Sequence, residues 1–112
     1  MKDCILYRAV TAWEWEDIKN QGNSFRSIPR SLEDKQFAIS EACGHYYGRE
    51  IVQRMDRVDY ILLKVIIDVH QYCAEGRIMR LDDCDAVSID RDELNHFNTC
   101  ILKIEVVLRH EN

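Results

Sequence analysis

The segment from Tyr60 to Val69 constrains the fold of this chain more than any other part of the sequence. Its odd positions are all apolar, whereas its even positions include Lys64 and Asp68. Residues two apart point to the same face of a strand, so this alternation predicts a β-strand with one fully buried face. Such a strand belongs at the centre of a sheet.

The rest of the chain divides into short strands and three short helices. Three sites suit the start of a helix because their side chains can satisfy free backbone N–H groups: Thr11 with Glu14, Ser40, and Asp90 with Glu93. The further predicted strands cover residues 4–10, 35–40, 77–81, 86–89 and 102–109. The order β-α-β-α-β-β-β-α-β favours an α+β fold with a mixed or antiparallel sheet, since little room remains for late crossover helices.

Composition bounds the size and class of the protein. The chain has 112 residues, of which 46% are hydrophobic and 31% charged, so it can bury a core and intrinsic disorder is excluded. One Pro, four Gly and no linker predict a single domain over residues 1–112. The net charge of −5 argues against binding duplex DNA through its backbone charge. No apolar run suits a membrane span or a signal peptide, and we expect a cytoplasmic protein.

The five cysteines form no CxxC pair, and their number is odd. Disulfide-stapled domains usually have an even number, so we expect free thiols in a reducing compartment. A zinc site would have to combine His70 and Cys73 with His45 and Cys84, and we expect no metal because a tetrahedral site needs four well-placed ligands.

Arg8 is unusual because it lies between Leu6 and Val10 on one face of the first predicted strand. A guanidinium among aliphatic side chains needs an anionic partner. One interpretation is a structural ion pair or an edge-strand position. The other is a cationic fork that lines a cleft and binds phosphate or carboxylate.

Ser40 stands where a predicted strand turns into a helix, so its hydroxyl either caps that helix or points into a cleft. No G-x-S-x-G sequence is present, which argues against a hydrolase nucleophile. The helix after it carries His45, Tyr46 and Tyr47, and two adjacent tyrosines on one helix cannot both face the core.

Several segments together resemble the small ADP-ribosyltransferase-like domains found among bacterial toxins and effectors. The segments are Leu6-Tyr7-Arg8-Ala9-Val10, residues 22–26, Lys35-Gln36-Phe37-Ala38-Ile39-Ser40 with Glu41-Ala42 and Tyr47-Gly48, and residues 86–89, 92–98 and 101–107. This resemblance implies a split, mixed sheet with an NAD cleft between its halves. It further implies that NAD, as the substrate, contacts Arg8, Phe37, Ser40 and Tyr47.

In this family an arginine of the first strand contacts the NAD phosphate and ribose, and Arg8 matches it. A serine supports the nicotinamide ribose, and Ser40 matches the last member of that motif. A glutamate near a late strand stabilises the positive charge that develops as nicotinamide leaves. No Glu-x-Glu or Gln-x-Glu precedes the last strand here, so the sequence departs from the family at this point.

Glu105 is the candidate that the resemblance offers for the missing carboxylate. Together with Arg8 and Ser40 it forms the predicted catalytic set. Glu105 shares a polar face with Lys103, and its other interpretation is a solvated cross-strand charge. The remaining carboxylates in that part of the chain are Asp82, Asp83, Asp85 and Glu93.

The resemblance leads to three functional hypotheses. The first is an NAD-dependent ADP-ribosyltransferase-like toxin or effector, cytoplasmic or delivered by a specialised secretion system, that modifies a protein, a nucleic acid or a small acceptor. The second is an inactive relative that recognises a partner protein, such as an immunity protein. The third, a nuclease toxin using His45 or His96 with Arg8, is disfavoured by the acidic net charge.

Overall fold

The computed structural model describes residues 4–25, 35–54, 58–68, 78–81, 84–89 and 93–109. Within these ranges the strands are β1 (Cys4–Val10), β2 (Lys35–Ala38), β3 (Ile61–Ile67), β4 (Ile78–Leu81), β5 (Cys84–Ile89) and β6 (Ile101–Arg109). The helices are α1 (Ala12–Asn20), α2 (Glu41–Tyr47) and α3 (Leu94–Thr99), and a π-helical segment, Gly48–Gln53, follows α2. The predicted order of elements and the α+β class are confirmed.

The strands form one sheet in the order β4-β5-β2-β1-β3-β6, and every neighbouring pair is antiparallel. The pairing is uneven. All seven residues of β1 pair with β3, whereas β1 and β2 share one registered pair, Tyr7 opposite Ala38. We call this junction the seam, because it joins a β4-β5-β2 half to a β1-β3-β6 half.

Side chains on the two faces of the sheet enter two different apolar clusters. We call the side that holds Leu6 and Val10 the front face; α1, α3 and Phe25 contribute the side chains that cover it. The back face holds Tyr7 and Ala9, which pack against the cluster of Val52, Tyr60 and Leu62.

β3 confirms the buried strand that its alternation predicts, but it lies next to the edge strand β6 and not at the centre of the sheet. Its odd positions all lie in the front-face core, and Leu63, Val65 and Ile67 are fully buried. Leu62 is also fully buried, on the back face. The even face is therefore not simply polar, because the back-face cluster covers the end of the strand that Leu62 occupies.

The second helix differs from its predicted form. The expected regular helix from about residue 41 to 55 ends at Tyr47 and continues as the π-helical segment. Gly44 and Gly48 permit close packing there. A Cβ at Gly44 would lie 2.7 Å from Leu62 Cδ1, and one at Gly48 would lie 2.5 Å from the Tyr60 ring. The glycines that weaken the helix locally thus bring it against the back face of the sheet.

The cysteines differ from the expectation of five free thiols. Cys100 is a buried free thiol, but Cys43 is disulfide-bonded. Local spacing such as CxxC reports on metal and redox motifs, and it carries no information on pairing between distant residues. His70 and Cys73, the predicted ligand pair, lie outside the described residues, as do Asp82, Asp83 and Asp90.

In the described ranges, no helix has both the length and the apolar character needed to cross a membrane.

Candidate functional site at the seam

Arg8 lies on β1, next to the seam, and its guanidinium is held by a carboxylate. Its Nε is 2.8 Å from Glu14 Oε2, and its Nη2 is 3.4 Å from Glu14 Oε1. Glu14 is positioned by the start of α1, where Thr11 Oγ1 accepts a hydrogen bond from the Glu14 backbone N–H at 3.2 Å. This two-point contact is the structural ion pair that one interpretation of Arg8 predicts.

Glu14 has a second role that the sequence interpretation did not assign to it. The bond from its backbone N–H to Thr11 is the one that the capping-box pattern predicts, and its carboxylate also binds Arg8. The sequence does contain a signal for this ion pair. An arginine in an apolar strand is followed, six residues later, by a glutamate in the first turn of a helix. Strand and helix are joined here by Thr11 alone, so the two side chains meet.

Phe37 is the neighbour of Arg8 across the seam. The Arg8 guanidinium carbon lies 5.7 Å from the centre of the Phe37 ring, within cation–π range. The ring is fully buried and packs against Phe25 and Phe97, with ring centres 5.1 and 4.9 Å away. Phe37 therefore supports Arg8 from the core, and it offers no exposed face to a ligand in this conformation.

Ser40 is the N-cap of α2. Its backbone is extended, and its Oγ accepts a hydrogen bond from the Cys43 backbone N–H at 3.2 Å. The capping interpretation is confirmed. Ser40 lies two residues beyond the end of β2, and its hydroxyl is already used as an acceptor by the helix.

Tyr47 and His45 lie on α2, whose glycines pack against the back face. The Tyr47 ring lies 5.7 Å from that of Tyr46 in an edge-to-face arrangement. His45 Nδ1 is 2.8 Å from the hydroxyl of Tyr60, which belongs to the back-face cluster. These contacts place His45 on the side of the sheet opposite to Arg8, so they do not support a nuclease site that combines these two residues.

Glu105 lies on β6, and 38% of its side chain is exposed. Its carboxylate is 2.8 Å from Lys103 Nζ, and Lys64 is its cross-strand neighbour on β3. The hydrogen bond from Lys103, its charge and the weaker field of Lys64 lower the pKa of Glu105. Glu105 is thus a solvated, ion-paired cross-strand charge.

The register of the sheet separates Glu105 from Arg8. Tyr7, Lys64 and Glu105 are directly opposite one another across three strands, so they share the back face. Arg8 is opposite Leu63 and lies on the front face. The structure therefore brings Arg8 and Phe37 together, with Ser40 two residues beyond the end of β2, and leaves Glu105 on the other side of the sheet.

Among the remaining candidate carboxylates, Asp85 has a backbone position near the seam. It pairs with Arg80 on β4 and directly precedes Ala86, which pairs with Ala38. Ala38 is the residue opposite Tyr7 at the seam itself. Glu93 lies directly before α3, the helix whose Leu94 and Phe97 side chains cover the front face.

Apart from Arg8, the described residues offer a groove but no metal-binding cluster. An open groove of about 500 Å³ is lined by Gln21, Ser24, Phe25, Asn95, Asn98 and Thr99, which includes none of the predicted site residues. No cluster of three or more His, Cys, Asp or Glu side chains suited to a metal ion is found in the described ranges.

Comparison with protein-family models, with curated proteins and with solved structures finds no match for this chain. The arrangement of the residues themselves therefore carries the functional argument.

Proposed function

We propose that this chain is an ADP-ribosyltransferase-like domain that binds NAD at the seam, with Arg8 as the site for the pyrophosphate. The observation that carries the proposal is the contact of Arg8 with Phe37 across the seam. These residues come from the two segments, Leu6–Val10 and Lys35–Ser40, on which the sequence resemblance mainly rests. The single registered pair between β1 and β2 supports the proposal as a weak junction in the sheet, although the sheet is continuous and antiparallel and the resemblance implies a split, mixed one.

The electrostatics of Arg8 suit an exchangeable anion site. The Arg8 side chain is 18% exposed and the Glu14 side chain is 24% exposed, so solvent reaches the ion pair. A pyrophosphate offers more anionic oxygens to a guanidinium than one carboxylate does, and Arg binds such groups through paired, charge-assisted hydrogen bonds. In this proposal NAD displaces Glu14 from Arg8.

The chemistry of such a domain is a substitution at the nicotinamide ribose. The N-glycosidic bond to nicotinamide breaks, a nucleophile of the acceptor bonds to the same ribose carbon, and the nucleophile's proton leaves to a base or to water. The chain's contribution is to hold the pyrophosphate at Arg8 and to place a carboxylate near the developing positive charge.

The first test measures NAD binding by titration calorimetry on the wild type and on Arg8→Lys. Lysine keeps the charge but cannot form the paired hydrogen bonds, so we expect affinity to fall roughly ten-fold or more. Arg54→Lys is the matched control, because Arg54 is an exposed arginine with a carboxylate partner, Glu50, at 3.3 Å. It should bind NAD like the wild type.

Two results would contradict the NAD site. A wild type that binds no NAD at millimolar concentration removes NAD as the ligand. Equal affinity in the wild type and in Arg8→Lys, with unchanged melting curves, moves any NAD site away from Arg8.

A second candidate function is an inactive domain of the same kind that recognises a partner protein. The position of Glu105 on the face opposite to Arg8 favours it, because no catalytic role for Glu105 at an Arg8 site is then available. An active enzyme would have to take its carboxylate from elsewhere, and Asp85, one of the two candidates within the described residues, directly precedes the residue that pairs with Ala38.

Release of nicotinamide from NAD separates the two candidates. An active domain should lose turnover in Asp85→Asn while NAD still binds, and it should keep turnover in Glu105→Gln. Binding without any release of nicotinamide favours the inactive module. Loss of turnover in Glu105→Gln alone would contradict the arrangement of the two faces.

A further inference from the structure

β6 forms one edge of the sheet and carries an unusual set of exposed side chains. It is nine residues long and is last in the strand order, so no described strand pairs with its outer side. Its pairing with β3 shifts register at Leu102 and at Val107, so its regular part is residues 103–106. Leu102 is 57% exposed and Val106 is 44% exposed. Long edge strands with apolar side chains offer free backbone N–H and C=O groups to another strand.

The side chains of β6 are arranged symmetrically about Ile104. On either side of it stand Lys103 and Glu105, which carry opposite charges, and beyond them Leu102 and Val106, which are exposed and apolar. Two antiparallel copies of this strand, centred on Ile104, would place each Lys103 opposite the Glu105 of the other copy. Each Leu102 would lie opposite a Val106.

We infer that β6 is a self-complementary edge through which two copies of this chain pair, forming one continuous antiparallel sheet across both copies. A two-fold axis perpendicular to the sheet keeps the faces aligned, so Lys103 and the Glu105 of the second copy share one face. Each opposed pair is then attractive or apolar, and such pairs are the units that stabilise antiparallel strands.

The same charges favour a second copy of this chain over an unrelated strand as the partner of β6. Charged residues on an edge normally repel an added strand, since a lysine or glutamate has no partner there. On β6 the two charges form an ion pair within one copy, with 2.8 Å between Nζ and Oε1. In the pairing about Ile104 each charge meets its opposite in the second copy as well, so this partner is not repelled.

The test measures self-association by sedimentation equilibrium over a range of protein concentrations. The wild type should form a dimer. Lys103→Glu and Glu105→Lys should each weaken it, by about ten-fold in the dissociation constant, because like charges then face each other at two symmetric positions. The double variant Lys103→Glu/Glu105→Lys should restore the dimer, since the reversed charges match again.

Lys19→Glu is the matched control, because Lys19 is an exposed lysine paired with Glu16 at 2.9 Å on α1. It should leave the dimer unchanged. A wild type that stays monomeric at the highest concentration overturns the inference. So does a dimer that survives both single reversals, or one that the double variant fails to restore while its circular dichroism spectrum matches the wild type.

Discussion

At the residue scale, the charge pair on β6 gives a direct test of the electrostatics. Lys103 lowers the pKa of Glu105, chiefly by donating a hydrogen bond to the charged carboxylate. The carboxyl carbon of Glu105, followed by NMR, should titrate below the usual range for glutamate. In Lys103→Met the titration should move up towards that range, because both the hydrogen bond and the charge are lost.

Arg54→Met removes a cation elsewhere and should not move the titration of Glu105. Because the pKa of Glu105 is lowered in the folded state, the ion pair stabilises the fold at pH values above the unfolded-state pKa. This stabilisation is lost as the pH falls through the folded-state pKa. A titration that is the same in Lys103→Met and in the wild type would show that the two side chains do not meet in solution.

Single residues also show where sequence reasoning is strong and where it is weak. An arginine among aliphatic residues must find an anion, and that requirement is visible in the pattern Leu6-Arg8-Val10. The identity of its partner is not visible there, because it depends on the tight junction between β1 and α1. The opposite placement of Arg8 and Glu105 is likewise a matter of register, which no local pattern contains.

At the element scale, alternation and caps predict β1, β3 and the start of α2 well. Their signals are local: the apolar period lies within each strand, and Ser40 bonds a backbone N–H three residues away. The change from α2 to the π-helical segment was not predicted. Gly48, where the segment begins, packs against Tyr60, twelve residues later, and a local pattern does not contain such a contact.

Gly48→Ala tests whether packing or helix propensity governs that segment. Propensity alone predicts a gain of about 1 kcal/mol on replacing glycine by alanine. The added Cβ would lie 2.5 to 2.6 Å from three atoms of the Tyr60 ring, too close without movement of the ring or the helix. We therefore expect a loss of about 1–3 kcal/mol in the free energy of unfolding, measured with urea.

Ala42 on the same helix provides the control for propensity. It is exposed, so Ala42→Gly should cost about 1 kcal/mol through the backbone alone. If Gly48→Ala were instead stabilising, the close packing of the helix against Tyr60 would be disproved.

At the scale of the whole molecule, the strand order could not be derived from the sequence. The short connections left a mixed and an antiparallel sheet as alternatives, and the described strands pair in the antiparallel way. Tertiary packing places β1 between β2 and β3. It also determines that β1 pairs along its whole length with β3 and shares a single registered pair with β2. The seam is therefore a result of the structure alone.

Because the seam joins the two half-sheets weakly, we expect a core mutation beside it to affect the hydrogen-exchange protection of the two halves differently. The Phe37 ring, on β2, packs against Phe25 and Phe97 and lies below Arg8 of β1. Phe37→Ala should cost about 3–5 kcal/mol. Because few backbone bonds cross the seam, amides of β2 and β5 should lose protection from hydrogen exchange before those of β1 and β3.

Val65→Ala, buried within β3, is the control and should not produce that order. Simultaneous loss of protection in all four strands of Phe37→Ala would show that the sheet opens as one unit.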